Sequence, residues 1–328
     1  MKINRKHYLL SLWLSMVPLF GMAQHTTFQA RCAEGAQSQG LAVQALDGWC
    51  FLKSELRFLS VGEFWGECAQ QTSLAANSKQ RDPLQAIVNY KKALDEAGIA
   101  LILAPIPPKA VVYPDKLDKR LAAKRYDVYL QTFYQQLKQQ GVNVLDLTPS
   151  LLQARSSVSE PLYCLGDSHL SGEGCRIVAE TIAQAIKARG KSSYKVTKET
   201  VSVRGDLYKA LDKKPERRTV YTVSGSKTQD AKAASVVLMG DSHTLVFDVG
   251  GDLFAEKAGI ASLLAASLKM PIDVVGVRGS GATPARINLY RKSKQDAAYL
   301  QNKKTVVWCF AAREFTEASG WNASVPVK

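Results

Sequence analysis

Between residues 82 and 310 short apolar runs alternate with longer stretches of helical periodicity, and that alternation restricts the chain to one class of architecture. The apolar runs fall at 99–103, 142–147, 235–239, 272–277 and 305–310. The periodic stretches between them start at Asp82-Pro83, a helix cap followed by a first-turn proline, and continue at 126–139, 172–188, 246–269 and 284–300. Strands apolar along their whole length need cover on both faces, so the reading is an α/β fold, three layers deep, with a mostly parallel central sheet. Chemistry in such sheets collects in the loops at the carboxyl ends of strands.

The remaining segments are less regular. Residues 24–81 hold aromatic islands, Gly48-Trp49-Cys50-Phe51-Leu52 and Phe64-Trp65-Gly66, among polar residues, and are expected to form a lead-in packed on a main domain at 82–328. Residues 192–232 are rich in Lys, Arg and Ser and read as a short hairpin or loop. Within them Lys213 to Arg218 is expected to be a solvated charged turn. At the other end, Lys2, Arg5 and Lys6 precede an apolar run at 8–20 and then Gly21-Met22-Ala23, which has the form of an export signal. Cleavage after Ala23 is expected, with an uncleaved membrane tether as the alternative.

Of the 328 residues 46% are hydrophobic and 22% charged, a composition that fills a core and excludes a disordered chain. The formal net charge of +14 drops only slightly without the leader's three basic residues, so a polyanion is the expected partner. An exported protein meets acidic polysaccharide rather than nucleic acid, although lysines kept for solubility would give the same balance. The six cysteines, Cys32, Cys50, Cys68, Cys164, Cys175 and Cys309, all follow the leader, and an even count suits an oxidising compartment. Their pairing is not legible, and Cys309 inside an apolar run reads as a buried thiol. No spacing matches a zinc site, so neither metal nor other cofactor is expected.

The tetrapeptide Gly-Asp-Ser-His occurs twice, at Gly166 and at Gly240. The second copy directly follows the run at 235–239 and precedes a periodic stretch, which places Ser242 where a strand turns into a helix. A helix start offers backbone N–H groups to a developing oxyanion, and a serine there needs only a base to become a nucleophile. The first copy leads into Leu170-Ser171-Gly172-Glu173-Gly174 and a helix, with Asp167 two positions before His169. An aspartate so placed takes the Nδ1 proton and leaves Nε2 to act as base. Of four histidines, His7 and His25 lie in or near the leader, and His243 adjoins the serine with its ring expected to point elsewhere. His169 is therefore the expected base.

The block at Gly240 resembles the first block of the SGNH, or GDSL-type, hydrolases, and residues 167–179 resemble their last. Here their order is reversed, the Asp-His pair preceding the serine by more than seventy positions. That arrangement is similar to the AlgX/AlgJ family of alginate O-acetyltransferases, whose SGNH-like domain is circularly permuted. Ile106-Pro107-Pro108-Lys109-Ala110, Tyr113-Pro114-Asp115-Lys116-Leu117, the segment from Gly48-Trp49 through Ser54-Glu55-Leu56-Arg57 to Phe64-Trp65-Gly66, and Trp308 to Arg313 also resemble that family's sequences. The likeness spans roughly 45 to 315. It implies an SGNH-like three-layer fold and a periplasmic enzyme that acetylates an exopolysaccharide. An acetylesterase outcome stays open, and an integral-membrane acetyl-transfer protein is the implied donor. Asp167, His169 and Ser242 carry over as the triad. Leu170 departs from the pattern, where an aromatic residue is common, and Cys309-Phe310-Ala311-Ala312 replaces a more acidic stretch containing proline. Too little chain follows Arg313 for the carbohydrate-binding module of AlgX members, so none is expected.

Other residues are weaker candidates. Arg278, Gly279, Ser280 and Gly281 follow a strand and are expected to form a second oxyanion or substrate loop, with a plain turn as the alternative. Trp308 is read as a sugar-stacking ring or as core, and Arg313 as a carboxylate binder or a surface ion pair. Pro107, Pro108 and Lys109 lie near the same rim, where a rigid loop is sufficient explanation. The competing functional reading is a catalytically weak polysaccharide-binding or scaffold component of an export complex.

Overall fold

The computed structural model describes residues 24–328, so the expected leader at 1–23 lies outside the described residues. A helix occupies 24–36, followed by β1 (Ala42–Gln44) and β2 (Cys50–Leu52), an antiparallel pair, and a helix at Lys53–Ser60. The segment read as irregular thus carries regular elements, most of them, apart from the helix at 24–36, too short to show a period in the sequence. Its aromatic islands serve the core: Trp49, Phe51, Phe58, Phe64 and Trp65 are all buried. Phe64 stacks on Phe315 with centroids 5.5 Å apart and meets Phe133 edge-on at 4.9 Å. Residues from the two ends of the chain therefore share one hydrophobic cluster.

The remaining strands are β3 (Ala100–Leu103), β4 (Tyr194–Val203), β5 (Glu216–Gly225), β6 (Val236–Gly240), β7 (Asp273–Gly276) and β8 (Thr305–Cys309). Four of them form an all-parallel sheet in the order β3-β8-β6-β7, with Leu103 and Met239 both in register with Trp308. The helix Pro83–Glu96 starts where the cap predicts. Asp82 accepts the Leu84 amide at 2.9 Å, and Ala86, Ile87, Tyr90 and Leu94 make the buried stripe. No helix among the described residues is long and apolar enough to cross a membrane. All six cysteines are free thiols; Cys68 alone is exposed, and Cys309 is buried as its apolar run implies.

Three segments differ from expectation. The run 142–147 is not a full strand: it makes a single parallel bridge, Val144 to Leu103, before Asp146 ties it to Arg125 and caps the Thr148 amide at 3.0 Å. That turn directs the chain into the helix Thr148–Arg155. The stretch 246–269 is helical only at Ile260–Leu268, because Phe247, Gly250, Gly251, Phe254 and Lys257 all adopt positive φ and wind the preceding residues into turns. Buried Asp248 then caps the helix, its Oδ2 accepting the Ala261 amide at 2.9 Å. Finally, 192–232 holds a ten-pair antiparallel ribbon, β4 against β5, rather than a short hairpin. β5 buries Val220 and Val223, whereas β4 buries only its last residue, Val203, and leaves most of its length exposed, so its apolar alternation is too weak to reveal it.

Gly240 ends β6 with no room for a side chain: a Cβ there would lie 1.6 Å from the Cys309 carbonyl oxygen. Two hydrogen-bonded backbones cannot separate without breaking the ladder. Gly240→Ala is expected to cost at least about 3 kcal/mol, seen as a fall in Tm of roughly 6–12 °C. A melt within 2 °C of the parent would show that the β6–β8 crossing tolerates a methyl group.

Candidate active site

Ser242 stands at the carboxyl end of β6, on a single 3-10 turn, Ser242–Thr244, rather than on the long helix expected. Asp241 builds that turn. Its Oδ1 accepts the His243 amide at 2.9 Å, its Oδ2 accepts the Ala311 amide at 2.7 Å, and its carbonyl accepts Thr244 Oγ1 at 2.7 Å. Because Ala311 follows β8, the carboxylate of Asp241 ties the Ser242 turn to the neighbouring strand end. Burial pushes the Asp241 carboxyl up, with Arg313 opposing. The Ser242 amide has no acceptor among the described residues, which leaves it free to donate.

The loop 163–171 delivers the other two residues to the same place. It closes through a Tyr163–Leu170 bridge, and Ser171 caps the helix Gly172–Ala185 by accepting the Gly174 amide at 3.1 Å. His169 Nδ1–H donates to Asp167 Oδ1 at 2.5 Å, and Nε2 lies 2.7 Å from Ser242 Oγ. Asp167 also takes the His169 amide on Oδ1 at 2.8 Å and the Asp206 amide on Oδ2 at 3.1 Å, so its carboxylate is held on both oxygens. A carboxylate only accepts, and the short contact therefore puts the imidazole proton on Nδ1 and a lone pair on Nε2. Burial alone would lift Asp167, but the charge and hydrogen bonds of His169 bring it below the ordinary carboxylate range. For His169 burial pulls down, yet Asp167, with Asp206 and Asp241 behind it, leaves the ring above its ordinary 6.5. The arrangement is able to take a proton from Ser242, carry positive charge on the imidazole, and return the proton.

His243 does not point elsewhere. Its ring packs edge-on against His169 with centroids 4.9 Å apart, and burial holds it well below the ordinary histidine value. A neutral second ring thus walls the base. Among the weaker candidates, Gly281 lies against the turn, since a Cβ on it would be 2.8 Å from the Asp241 amide nitrogen. Trp308 is fully buried on a central strand with both faces covered, so it cannot stack on a sugar; its Nε1 donates to the Gly281 carbonyl at 2.8 Å and props that loop. Arg278, beyond the loop's glycines, pairs with Asp252 on the surface at 2.7 Å, more than half exposed. Gly279 has φ +103, and Ser280 Oγ accepts the Ala282 amide at 3.3 Å, so both shape the loop locally. Arg313 makes no surface ion pair: it turns inward toward Glu55, 3.7 Å away. Sequence reasoning gave no role to Asp206 or Glu55 and placed Glu216 in a solvated charged turn at 213–218. Instead Glu216 opens β5, is largely buried beside Arg218 and accepts the Leu165 and Gly166 amides.

The family model for the SGNH hydrolase-like domain of acetyltransferase AlgX matches residues 42–312. The chain belongs to this family. Among solved structures this AlgX-family chain resembles the O-acetyltransferase domain of Pseudomonas putida AlgJ, with TM-score 0.63 and 20% identity over 85% of this chain and 93% of that one. It also resembles Pseudomonas aeruginosa AlgX, with TM-score 0.62 and 18% identity over 85% of this chain and 65% of that one. At these identities the likeness is one of fold. A curated relative, "Probable alginate O-acetylase AlgJ" of Pseudomonas syringae pv. tomato, is 26% identical over 271 residues. The alignment covers 76% of this chain, which spans 66% of that relative's length. Family membership accounts for the parallel four-stranded sheet with its surrounding helices.

Proposed function

We propose that this chain is an exported O-acetyltransferase that acetylates an acidic exopolysaccharide of the alginate kind through an acetyl-serine intermediate. The observation that carries the reading is the unbroken line from Asp167 Oδ1 through the His169 ring to Ser242 Oγ, with contacts of 2.5 and 2.7 Å. The polymer class is supported by the name of the curated alginate O-acetylase relative and by the net charge of +14. Export is supported by the basic then apolar order of residues 2–20.

In the first half-reaction Ser242 Oγ attacks the carbonyl carbon of an acetyl donor while His169 Nε2 takes its proton. The Ser242 amide, together with backbone N–H groups of the adjoining 279–281 loop, stabilises the oxyanion. Collapse of the tetrahedral species breaks the bond to the leaving group, which receives the proton from His169, and leaves acetyl-Ser242. A sugar hydroxyl then attacks that ester, His169 takes the hydroxyl proton, and collapse regenerates Ser242 Oγ–H with the proton returned. Water in place of the sugar gives acetylesterase turnover. An integral-membrane acetyl-transfer protein is the proposed donor, in keeping with an exported enzyme that has no cytoplasmic thioester within reach.

Mass spectrometry of the protein incubated with an acetyl donor tests the serine directly, and its pH dependence tests the base. Acylation needs the neutral imidazole, and the folded ring titrates above 6.5, so the rate of adduct formation on Ser242 is expected to fall as pH drops, with a midpoint above 6.5. Persistent absence of the adduct in an enzyme that turns over would overturn the mechanism. So would an adduct rate that stays level down to pH 5.

A further inference from the structure

Lys109 is a buried cation beside the site, and the catalytic reading gives it no task. Lys109, from the Ile106-Pro107-Pro108-Lys109-Ala110 motif, has no exposed surface, yet no carboxylate touches its ammonium. Nζ donates instead to backbone carbonyls: Cys164 at 2.7 Å, Asp167 at 2.6 Å and Cys50 at 2.9 Å, with the Leu165 carbonyl a further contact at 3.4 Å. The rings of Trp49 and Phe51 stand 5.9 and 6.0 Å away and close off water. Glu55 accepts the Lys109 amide at 3.2 Å, which fixes the stem from which the side chain reaches.

The carbonyls of Cys164, Leu165 and Asp167 belong to the loop that presents Asp167 and His169, and that of Cys50 to β2 beside it. That loop is irregular, so its peptide groups have no ladder and need side-chain partners. Its N–H groups are taken by carboxylates: Glu216 accepts Leu165 and Gly166, at 3.2 and 2.9 Å, and Asp206 accepts Ser168 at 2.8 Å. Its inward carbonyls at 164 and 167 converge on Lys109. Three carbonyl dipoles facing one another repel, and a three-donor ammonium is the side chain whose geometry reverses that. Without it the carbonyl of Asp167 would rotate away, and its carboxylate would swing with it.

We propose that Lys109 is the positioning residue that aims the Asp167 carboxylate at His169, by gathering the carbonyls of Cys164, Asp167 and Cys50 around its ammonium. The proposal rests on the serine mechanism for its kinetic consequence but not for its structural one. Replacement by methionine keeps most of the unbranched stem, one atom short of lysine, and removes all three donors.

Three readouts test it. The Nδ1 proton of His169, in a bond of 2.5 Å, is expected to give a strongly downfield NMR signal in the parent, and that signal is expected to disappear or move upfield in Lys109→Met. Turnover of a small acetate ester is expected to fall about 100-fold in kcat, with KM within about twofold, as for a catalytic group displaced by about 1 Å. The acid limb of kcat/KM is expected to move down, as His169 loses the carboxylate that raises it. Lys109→Gln, smaller but still a donor, is expected to be intermediate. A folded Lys109→Met with unchanged NMR signal and pH profile overturns the proposal. Failure of both variants to fold also overturns it, by making Lys109 a general scaffold residue. Ser242→Ala separates the two readings, because it is expected to retain the NMR signal. If the parent forms no acetyl adduct, the serine mechanism falls while the signal still judges Lys109.

Discussion

Ser242→Ala is expected to lower acetyl-ester turnover by at least about 10⁴-fold, to the level the remaining oxyanion donors and binding provide. The size of the effect follows from the geometry. Ser242 Oγ is the only atom that His169 Nε2 contacts at hydrogen-bond distance among the described residues, at 2.7 Å, so no neighbouring hydroxyl stands ready to substitute. The half-buried serine side chain contributes little else, and the melting temperature is expected to stay within about 2 °C. The measurements are hydrolysis of a chromogenic acetate ester by purified protein and the acetyl content of the polymer in cells. Loss of both supports the enzyme. Unchanged polymer acetylation in cells carrying Ser242→Ala would favour the scaffold reading instead.

Asp167→Asn is expected to reduce kcat by roughly 10⁴-fold while leaving the fold intact. An asparagine oxygen still accepts one backbone amide, whether that of Asp206 or of His169, so the loop retains part of its anchoring. The catalytic damage is electronic and tautomeric: an amide NH₂ turned toward the ring favours the proton on Nε2, the atom that must receive the serine proton. The neutral amide also withdraws the charge that offsets the imidazolium. Rates within tenfold of the parent would show that the 2.5 Å contact has no part in the chemistry.

The sequence revealed those parts of the molecule whose signal is local. Four of the five apolar runs are strands of the parallel sheet, because a strand covered on both faces must be apolar throughout. Both Gly-Asp-Ser-His copies occupy loops where Asp167, His169 and Ser242 meet, since glycine and aspartate are themselves the turn-forming residues. The misreadings share a different cause. β4 is exposed along most of its length, with Val203 its one buried residue, so little marks it as a strand. The turns at 246–259 contain enough apolar residues to imitate a helix; Gly250-Gly251 signals the break, but the other positive φ values fall on Phe247, Phe254 and Lys257, residue types that do not advertise them. Trp308 was placed correctly on its strand, but whether a strand is central or peripheral depends on its neighbours' order, which is a tertiary fact. Lys109, Asp206 and Glu216 act on backbone atoms tens of residues away, and a peptide carbonyl has no letter in the sequence.

The aromatic segment before Asp82 has a practical consequence for anyone dissecting this protein. Its rings complete the core around Phe315, its Cys50 carbonyl receives the Lys109 ammonium, and its Glu55 faces Arg313. A chain begun at Pro83 would expose a greasy socket, take the Cys50 carbonyl from the Lys109 ammonium and remove Glu55 from beside buried Arg313. The smallest piece that can be fused, swapped into a relative or displayed on a surface therefore starts upstream of β1, and the catalytic loops do not travel without it.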